Sequence, residues 1–367
     1  MTDYQTLGVR PVINAFATVT KYGGSLMPPE VIAAMNEAAG AFVDLQQLQG
    51  AVGERIAKLT RNEAAYVTSG AAAGIVLASA ASVLHKHPDA LKRFPKLGAF
   101  NNEAIIFRSQ RNPYDYSIKQ TGLTYIEIEG APAALRAAIT AHTACVYWFP
   151  RGERDEEDIA LAEVIAIASE GAIPVIVDAA AQLPPVDNLW RFTEMGASLA
   201  LFSGGKDLRG PQSSGLMLGR RDLIESIRPI SNPNHGLGRP FKVGKEEMMG
   251  VLAAVERYLK LDHATREQYC EETARMFCAA LSPLPGVQAE RAFPNEAGQP
   301  LPRCRVTVDP GVLGKSADDL VADFLRHEPA IAVAPESDTS FYLNPMTLKP
   351  GEELIVRDVC LQLLRAP

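Results

Sequence analysis

The chain has 367 residues, of which 47% are hydrophobic and 22% charged, and a formal net charge of −7. That is enough apolar material for one large and one smaller buried core, and an acidic balance without basic stripes argues against nucleic acid as a partner. No run approaches the roughly 20 uninterrupted apolar residues of a membrane span, the N-terminus lacks the basic and apolar regions of a signal peptide, and the five cysteines form no C-x-x-C pair, so a cytoplasmic chain with reduced thiols and no metal centre is expected.

Residues 1–27 read as an N-terminal arm with a short strand-like stretch, Val12-Ile-Asn-Ala15, closed by Gly23-Gly24. Pro28-Pro29 then opens a helix carrying Val31, Ile32 and Met35, since proline suits a helix's first turn. A second helical pattern follows with Val52, Ile56 and Leu59. The next run, Ala64-Ala-Tyr-Val-Thr68, breaks at Ser69-Gly70 and becomes an Ala-rich segment to Val83, a strand feeding a helix. Small residues there let an anion approach the backbone, where free N–H groups and the positive end of the helix dipole hold it. An ordinary tight turn between strand and helix is the alternative at this point. His85 and His87, just beyond, are expected to be solvated.

Apolar runs recur at 104–107, 124–128, 144–149, 173–178 and 198–202, separated by helical stretches such as 132–140 and 156–170. Strands alternating with helices predict right-handed crossovers and an α/β domain whose mostly parallel sheet is covered on both faces. Pro211 to Gly219 reads as a returning strand, Ser231 to Pro240 as a Gly/Asn/Pro-rich loop, and 244–262 as a helix linking the large domain, 28–243, to the rest. The remainder, 263–367, reads as a small α+β domain with helices at 265–281 and 351–365 and strands at Cys304–Val308 and Ile331–Val333.

Three pieces of this pattern fall at strand ends, where ligands of such sheets bind. Val175-Ile-Val-Asp178 ends in a carboxylate, Ala200-Leu-Phe-Ser203 leads through Gly204-Gly205 into Lys206, and Ser69 begins the small-residue turn. An apolar strand ending in Asp, followed by one ending in Ser-x-x-Lys, is what catalysis with pyridoxal 5'-phosphate (PLP) requires. The lysine amine forms a Schiff base, and the carboxylate pairs with the protonated pyridine nitrogen so that the ring acts as an electron sink.

The sequence resembles the fold type I PLP-dependent enzymes, and within them the selenocysteine-synthase-like branch that includes D-glucosaminate-6-phosphate ammonia-lyases. The resemblance covers most of the chain. It rests on Arg10-Pro-Val-Ile-Asn-Ala15, Gly23-Gly-Ser-Leu-Met-Pro-Pro-Glu-Val31, Val67-Thr-Ser-Gly-Ala-Ala-Ala-Gly74, Val177-Asp-Ala-Ala-Ala-Gln182, Phe202-Ser-Gly-Gly-Lys206 and Gly238-Arg-Pro-Phe-Lys-Val-Gly-Lys-Glu246. It implies that Lys206 is the Schiff-base lysine, that Asp178 is the ring-nitrogen partner, and that Ser69, Gly70, Ala71, Ala72 and Ser203 bind the phosphate. Ala180 would pack against one ring face, and Arg111 is the candidate for the other. Gly205 stands where cysteine desulfurases have His, which disfavours desulfuration. Selenocysteine synthase carries an additional N-terminal domain for tRNA, so transfer of selenium to aminoacyl-tRNA is not expected of this acidic chain.

The expected reaction is β-elimination of ammonia-lyase type on a small amino acid, phosphorylated or not, bearing a β-hydroxyl or other leaving group. Racemisation, aldol cleavage and transamination share its first steps, and a catalytically silent PLP-binding regulatory protein is the alternative of a different class. A phosphorylated substrate needs further cations, for which Lys21, Arg239, Lys242 and Lys245 stand as candidates or simply as exposed charges. The resemblance also implies a homodimer or higher homo-oligomer.

Overall fold

The structure is a computed structural model that describes residues 3–4, 6–150 and 158–365. Two compact units emerge: Ser25–Leu261 with Glu296–Gln299, and Met1–Gly24 with Asp262–Asn295 and Pro300–Pro367. Strands are numbered along the chain as β1 (Val12–Ala15), β2 (Ala64–Thr68), β3 (Glu103–Phe107), β4 (Thr124–Ile128), β5 (Thr143–Trp148) and β6 (Val175–Asp178). There follow β7 (Leu199–Ser203), β8 (Gly215–Gly219), β9 (Val287–Ala292), β10 (Arg303–Val308), β11 (Ala330–Ser337) and β12 (Ser340–Leu343).

The larger unit holds a seven-stranded sheet in the order β2-β8-β7-β6-β5-β3-β4. β3 to β7 pair in parallel, while β8 runs antiparallel between β7 and β2. This is the α/β architecture expected from the alternating pattern. β2, β5 and β8 are buried along their whole length, as continuous apolar runs must be when both faces of a sheet are covered. On one face lie Tyr66, Ile106, Tyr147, Ile176, Leu201 and Met217, packed against Ala71–Leu84. That helix is buried from Ala73 to Leu84, so only Ala, Gly, Ser and aliphatic residues fit it. On the other face Val67, Ile105, Val146, Val177 and Phe202 meet the amphipathic helices Leu45–Leu59, Leu161–Glu170 and Lys245–Tyr258. The helix expected at 156–170 is observed from Leu161; residues 156 and 157 lie outside the described residues.

Lys245–Tyr258, expected as a link between domains, belongs to the larger unit. Met248, Val251, Val255 and Tyr258 sit in its core, and burying that apolar stripe outweighs any bridging placement. In the smaller unit the strand order is β1-β11-β12-β10-β9. β1 pairs in parallel with Ala330 to Val333 of β11, so this part of the expected arm closes a sheet edge of its own unit and satisfies that edge's backbone groups. Phe277, Phe324, Phe341, Ile331 and Val356 form the core there. No helix among the described residues is long and apolar enough to cross a membrane.

Helix Leu45–Leu59 seats against β2 through a glycine: a Cβ on Gly53 would lie 2.4 Å from the Ala65 carbonyl oxygen. Alanine is favoured over glycine by about 1 kcal/mol in a helix interior, whereas overpacking costs about 1–3 kcal/mol. Gly53→Ala is therefore expected to lower the thermal unfolding midpoint despite its better helix propensity. A raised midpoint would show that the helix can move off the strand.

Candidate active site

Because β2, β6 and β7 run the same way, their carboxyl ends meet at one edge of the sheet. Asp178 closes β6 level with Leu201 of β7, and Ser203, two residues further, is level with Gly215 of β8 and through it with Thr68 of β2. Leu201 and Tyr147 belong to the face that packs on Ala71–Leu84, and the two-residue period of a strand puts Asp178 and Ser203 on that face too.

The turn from β2 into Ala71–Leu84 leaves the helix N-terminus open. Gly70 has φ +133°, and no atom stands within 4 Å of where its Cβ would be. Thr68 Oγ1 donates to the Gly70 carbonyl at 2.8 Å and fixes the turn. A Cβ on Gly215 would come within 2.7 Å of Gly70 C and 2.9 Å of Ala71 N, so glycine alone permits this approach of β8 to the turn. The first helical turn holds no acidic residue, and Ser69, Gly70, Ala71 and Ala72 stay accessible while the rest of the helix is buried. Free N–H groups at such an end bind anions.

Lys206 lies in a turn tied on several sides. Gly204 N donates to Ser214 O and Gly210 N to Gly204 O, both at 2.8 Å, while Ser25 Oγ donates to Gly205 O at 2.9 Å. A Cβ on Gly205 would lie 2.4 Å from Gln212 Cα, which leaves no room for a side chain at that position. The next residue, Asp207, is buried and accepts from Tyr258 Oη at 2.6 Å, anchoring the turn to helix Lys245–Tyr258.

Burial pushes the Asp178 carboxyl up, opposed by the Ala180 N–H that donates to Oδ1 at 3.1 Å and by the Lys206 charge. Burial pushes the Lys206 amine down, opposed by Asp178 and by Glu296. Each group would otherwise be an unpaired buried charge, so each favours the ionised form of the other. Tyr147 lies on the same sheet face. Its hydroxyl is 2.7 Å from Ser79 Oγ and donates to Ile75 O at 3.0 Å, and burial raises its pKa and keeps it neutral.

No family model matches the chain. It is 34% identical, over 97% of its length and 90% of the relative's, to a 5'-C-glycyluridine monooxygenase-decarboxylase of a Streptomyces species. It is 29% identical to D-glucosaminate-6-phosphate ammonia lyase of Salmonella typhimurium over 96% of the chain and 95% of that protein. A solved structure of a D-glucosaminate-6-phosphate ammonia-lyase superimposes with a TM-score of 0.84 over 99% of both chains, again at 29% identity. L-seryl-tRNA(Sec) selenium transferase of Solidesulfovibrio magneticus is 26% identical over 96% of the chain. The chain belongs to the fold type I PLP-dependent enzymes of the selenocysteine-synthase-like branch. It is an enzyme whose cofactor is pyridoxal 5'-phosphate.

The residues at the sheet edge fit that cofactor. A half-buried Asp178 suits a protonated ring nitrogen, the half-buried Lys206 amine suits its aldehyde carbon, and the uncapped start of Ala71–Leu84 beside Ser203 suits a phosphate dianion. Ala180, two residues past Asp178, adds no bulk above it. Arg111 lies beyond β3, two strands from β6, and is engaged there: Nε donates to Asp115 Oδ2 at 2.5 Å, Nη1 donates to Glu127, and the guanidinium lies 4.7 Å from the Tyr125 ring centroid. Among the other candidate cations, Lys245 pairs with Glu246, Arg239 Nη1 donates to Asn232 Oδ1 at 3.5 Å, and Lys21 lies by Tyr22 in the smaller unit.

Sequence reading missed Asp207, Tyr258, Ser25 and Gly215. Only the Asp adjacent to Lys206 carried a local signal, since the partners of the others are set by the fold. If Gly215 is needed for the anion turn, Gly215→Ala is expected to fold, by circular dichroism, yet to bind PLP at least about tenfold more weakly, because a Cβ pushes Ala71 N from its place. Unchanged PLP affinity in a fluorescence titration would remove the turn from the cofactor site.

Proposed function

We propose that the chain is a PLP-dependent ammonia lyase that removes a β-hydroxyl from a small amino acid bearing a phosphate. The observation that carries this reading is the Asp178–Lys206 pair at the strand ends beside the open start of Ala71–Leu84. The ammonia lyase that shares 29% identity supports the substrate class, since its name specifies a phosphorylated amino sugar acid. Bound through Lys206, PLP supplies an electron sink for the charge left at Cα.

The chain's own residues do the rest. Ser69 to Ala72 and Ser203 hold the phosphate, and Asp178 keeps the ring nitrogen protonated. Lys206, released by the substrate amine, takes the Cα proton; its lowered pKa gives it a larger neutral fraction near pH 7 than an exposed lysine has. Hydroxide leaves Cβ with a proton as water, water returns when the C–N bond is hydrolysed, and the net products are a 2-keto acid and ammonia.

A second reading is oxygen-dependent decarboxylation, favoured by the 34% identity to a monooxygenase-decarboxylase. Both begin with Lys206 and differ in which bond at Cα breaks. Borohydride reduction of the PLP-loaded protein should fix the cofactor to Lys206, and a panel of plain and phosphorylated β-hydroxy amino acids, D and L, should give ammonia and keto acid without oxygen. Asp178→Asn should retain bound PLP and lose activity by a factor of about 100 or more, each tenfold corresponding to about 1.4 kcal/mol. Carbon dioxide release with oxygen uptake, and no anaerobic product, would overturn the lyase reading in favour of the second.

We infer further that the enzyme is a homodimer or a multiple of one. Phe42 is fully exposed between helices Pro29–Ala39 and Leu45–Leu59, with Leu26, Ile32 and Val43 also exposed on the same segment. An apolar cluster of this kind on a surface marks an association site. Phe42→Glu is expected to shift the light-scattering mass at low micromolar concentration towards the monomer. An unchanged dimer would place the interface elsewhere, and a monomeric wild type would reject the inference.

A further inference from the structure

The smaller unit holds two sulfurs in contact. Cys278, on helix His263–Leu281, and Cys304, on β10, have their Sγ atoms 3.3 Å apart. Both are free thiols, separated by 26 residues of sequence. The helix is fixed over the sheet on either side of Cys278. Towards its start, Glu271 takes the Arg291 guanidinium of β9 through hydrogen bonds of 2.8 and 2.9 Å. Just past its end, Ser282 Oγ donates to Ala289 O of β9 at 3.1 Å. Arg291 is the cross-strand partner of Cys304. A packed helix and a paired strand therefore bring the two sulfurs together, rather than the chance meeting of two loops.

The thiols differ in exposure. Cys304 is wholly buried in the core of the unit, with Phe277, Leu281 and Phe341, whereas Cys278 packs on that core and stays partly exposed. Cys145, Cys270 and Cys360 are buried. An oxidant arriving from solvent thus meets Cys278 first and reaches Cys304 only through it. They differ in ionisation as well. The hydrogen bond shared with Cys304 holds the Cys278 thiol below the ordinary range against its partial burial, with Arg291 favouring the thiolate and Glu290 opposing it. The same hydrogen bond, together with burial, pushes Cys304 up. The thiolate is the nucleophilic form of cysteine, and an accessible one beside a second thiol is the arrangement in which oxidation ends as a disulfide.

We propose that Cys278 and Cys304 form a peroxide-sensitive dithiol, Cys278 the sulfur that meets the oxidant and Cys304 the one that resolves it. Cys278 sulfur attacks hydrogen peroxide, the O–O bond breaks, and the sulfur keeps one oxygen as a sulfenic acid while the other leaves as water. Cys304 sulfur then attacks that sulfur, the S–O bond breaks, and the second water leaves with the Cys304 proton. Two thiols lose two electrons, and one peroxide becomes two waters. A small thiol reverses the reaction by exchange. The bond closes a ring of chain that contains β9 and Glu296–Gln299, and a crosslink across such a loop stabilises by restricting the unfolded chain.

The test treats the PLP-loaded full chain with hydrogen peroxide at neutral pH, blocks remaining thiols by alkylation and digests without reductant. A peptide joining Cys278 to Cys304 is expected, with loss of two hydrogens from the intact mass, reversal by dithiothreitol and a higher thermal unfolding midpoint than the reduced protein has. Cys278→Ser should abolish the crosslink. Cys304→Ala, which keeps the core apolar, should replace it by a sulfenic acid on Cys278 that dimedone traps. Oxidation of Cys278 to the sulfinic acid in wild type without a crosslink, or no reaction at Cys278, would overturn the proposal. Equal dimedone labelling of Cys278 in wild type and Cys304→Ala would remove the resolving role of Cys304. Should Cys304→Ala not fold, the wild-type crosslink and its loss in Cys278→Ser still decide.

Discussion

Everything at this site follows from placing an amine and a carboxylate together where water is scarce. Burial opposes both charges, raising the Asp178 pKa and lowering that of Lys206, while each charge works against the effect on its neighbour. The sheet makes this arrangement reproducible. Parallel strands carry their carboxyl ends to one edge, so a residue that closes β6 and one that follows β7 meet without a special loop to bring them together.

The single antiparallel strand, β8, then completes the floor. It lies between β7 and β2, and its first residue, Gly215, is level with both Ser203 and Thr68. A side chain there would collide with the turn into Ala71–Leu84, so the open helix start depends on a glycine in the neighbouring strand. Gly204 and Gly205 have the corresponding task in the Lys206 turn, where Ser214 and Gln212 leave no space for a Cβ. The glycines on both sides of the site thus answer to backbone proximity, and Lys206 is held in place by its neighbours' lack of side chains as well as by hydrogen bonds.

Much of this was legible in the sequence because it is local. Continuous apolar runs gave β2 to β8, and the Asp and the Ser-x-x-Lys of the sequence fall at the ends of β6 and β7. What escaped was non-local. β9 alternates half-buried and exposed residues in a polar run, Val287-Gln-Ala-Glu-Arg-Ala292, and β12 spans only Ser340 to Leu343, so neither stood out as a strand. The pairing of β1 with β11 joins residues more than 300 apart in sequence, and no periodicity in either strand foretells it. Asp207 with Tyr258 and Gln182 with Ala297 are tertiary pairs of the same kind. The contacts of Arg111 with Asp115, Glu127 and Tyr125, supplied by its own turn and the adjoining edge strand, are tertiary too.

The names of two relatives that each match over 96% or more of the chain specify different chemistries, an ammonia lyase and a monooxygenase-decarboxylase. Asp178 and the helix start lie at the ends of regular elements, and Lys206 lies in the turn that follows β7. Glu296–Gln299, by contrast, is an irregular segment held by two side-chain amides to the loop after Asp178. If Lys206 and Asp178 act as proposed, electron withdrawal is tied to the sheet edge, and a change of reaction needs changes only outside the strands.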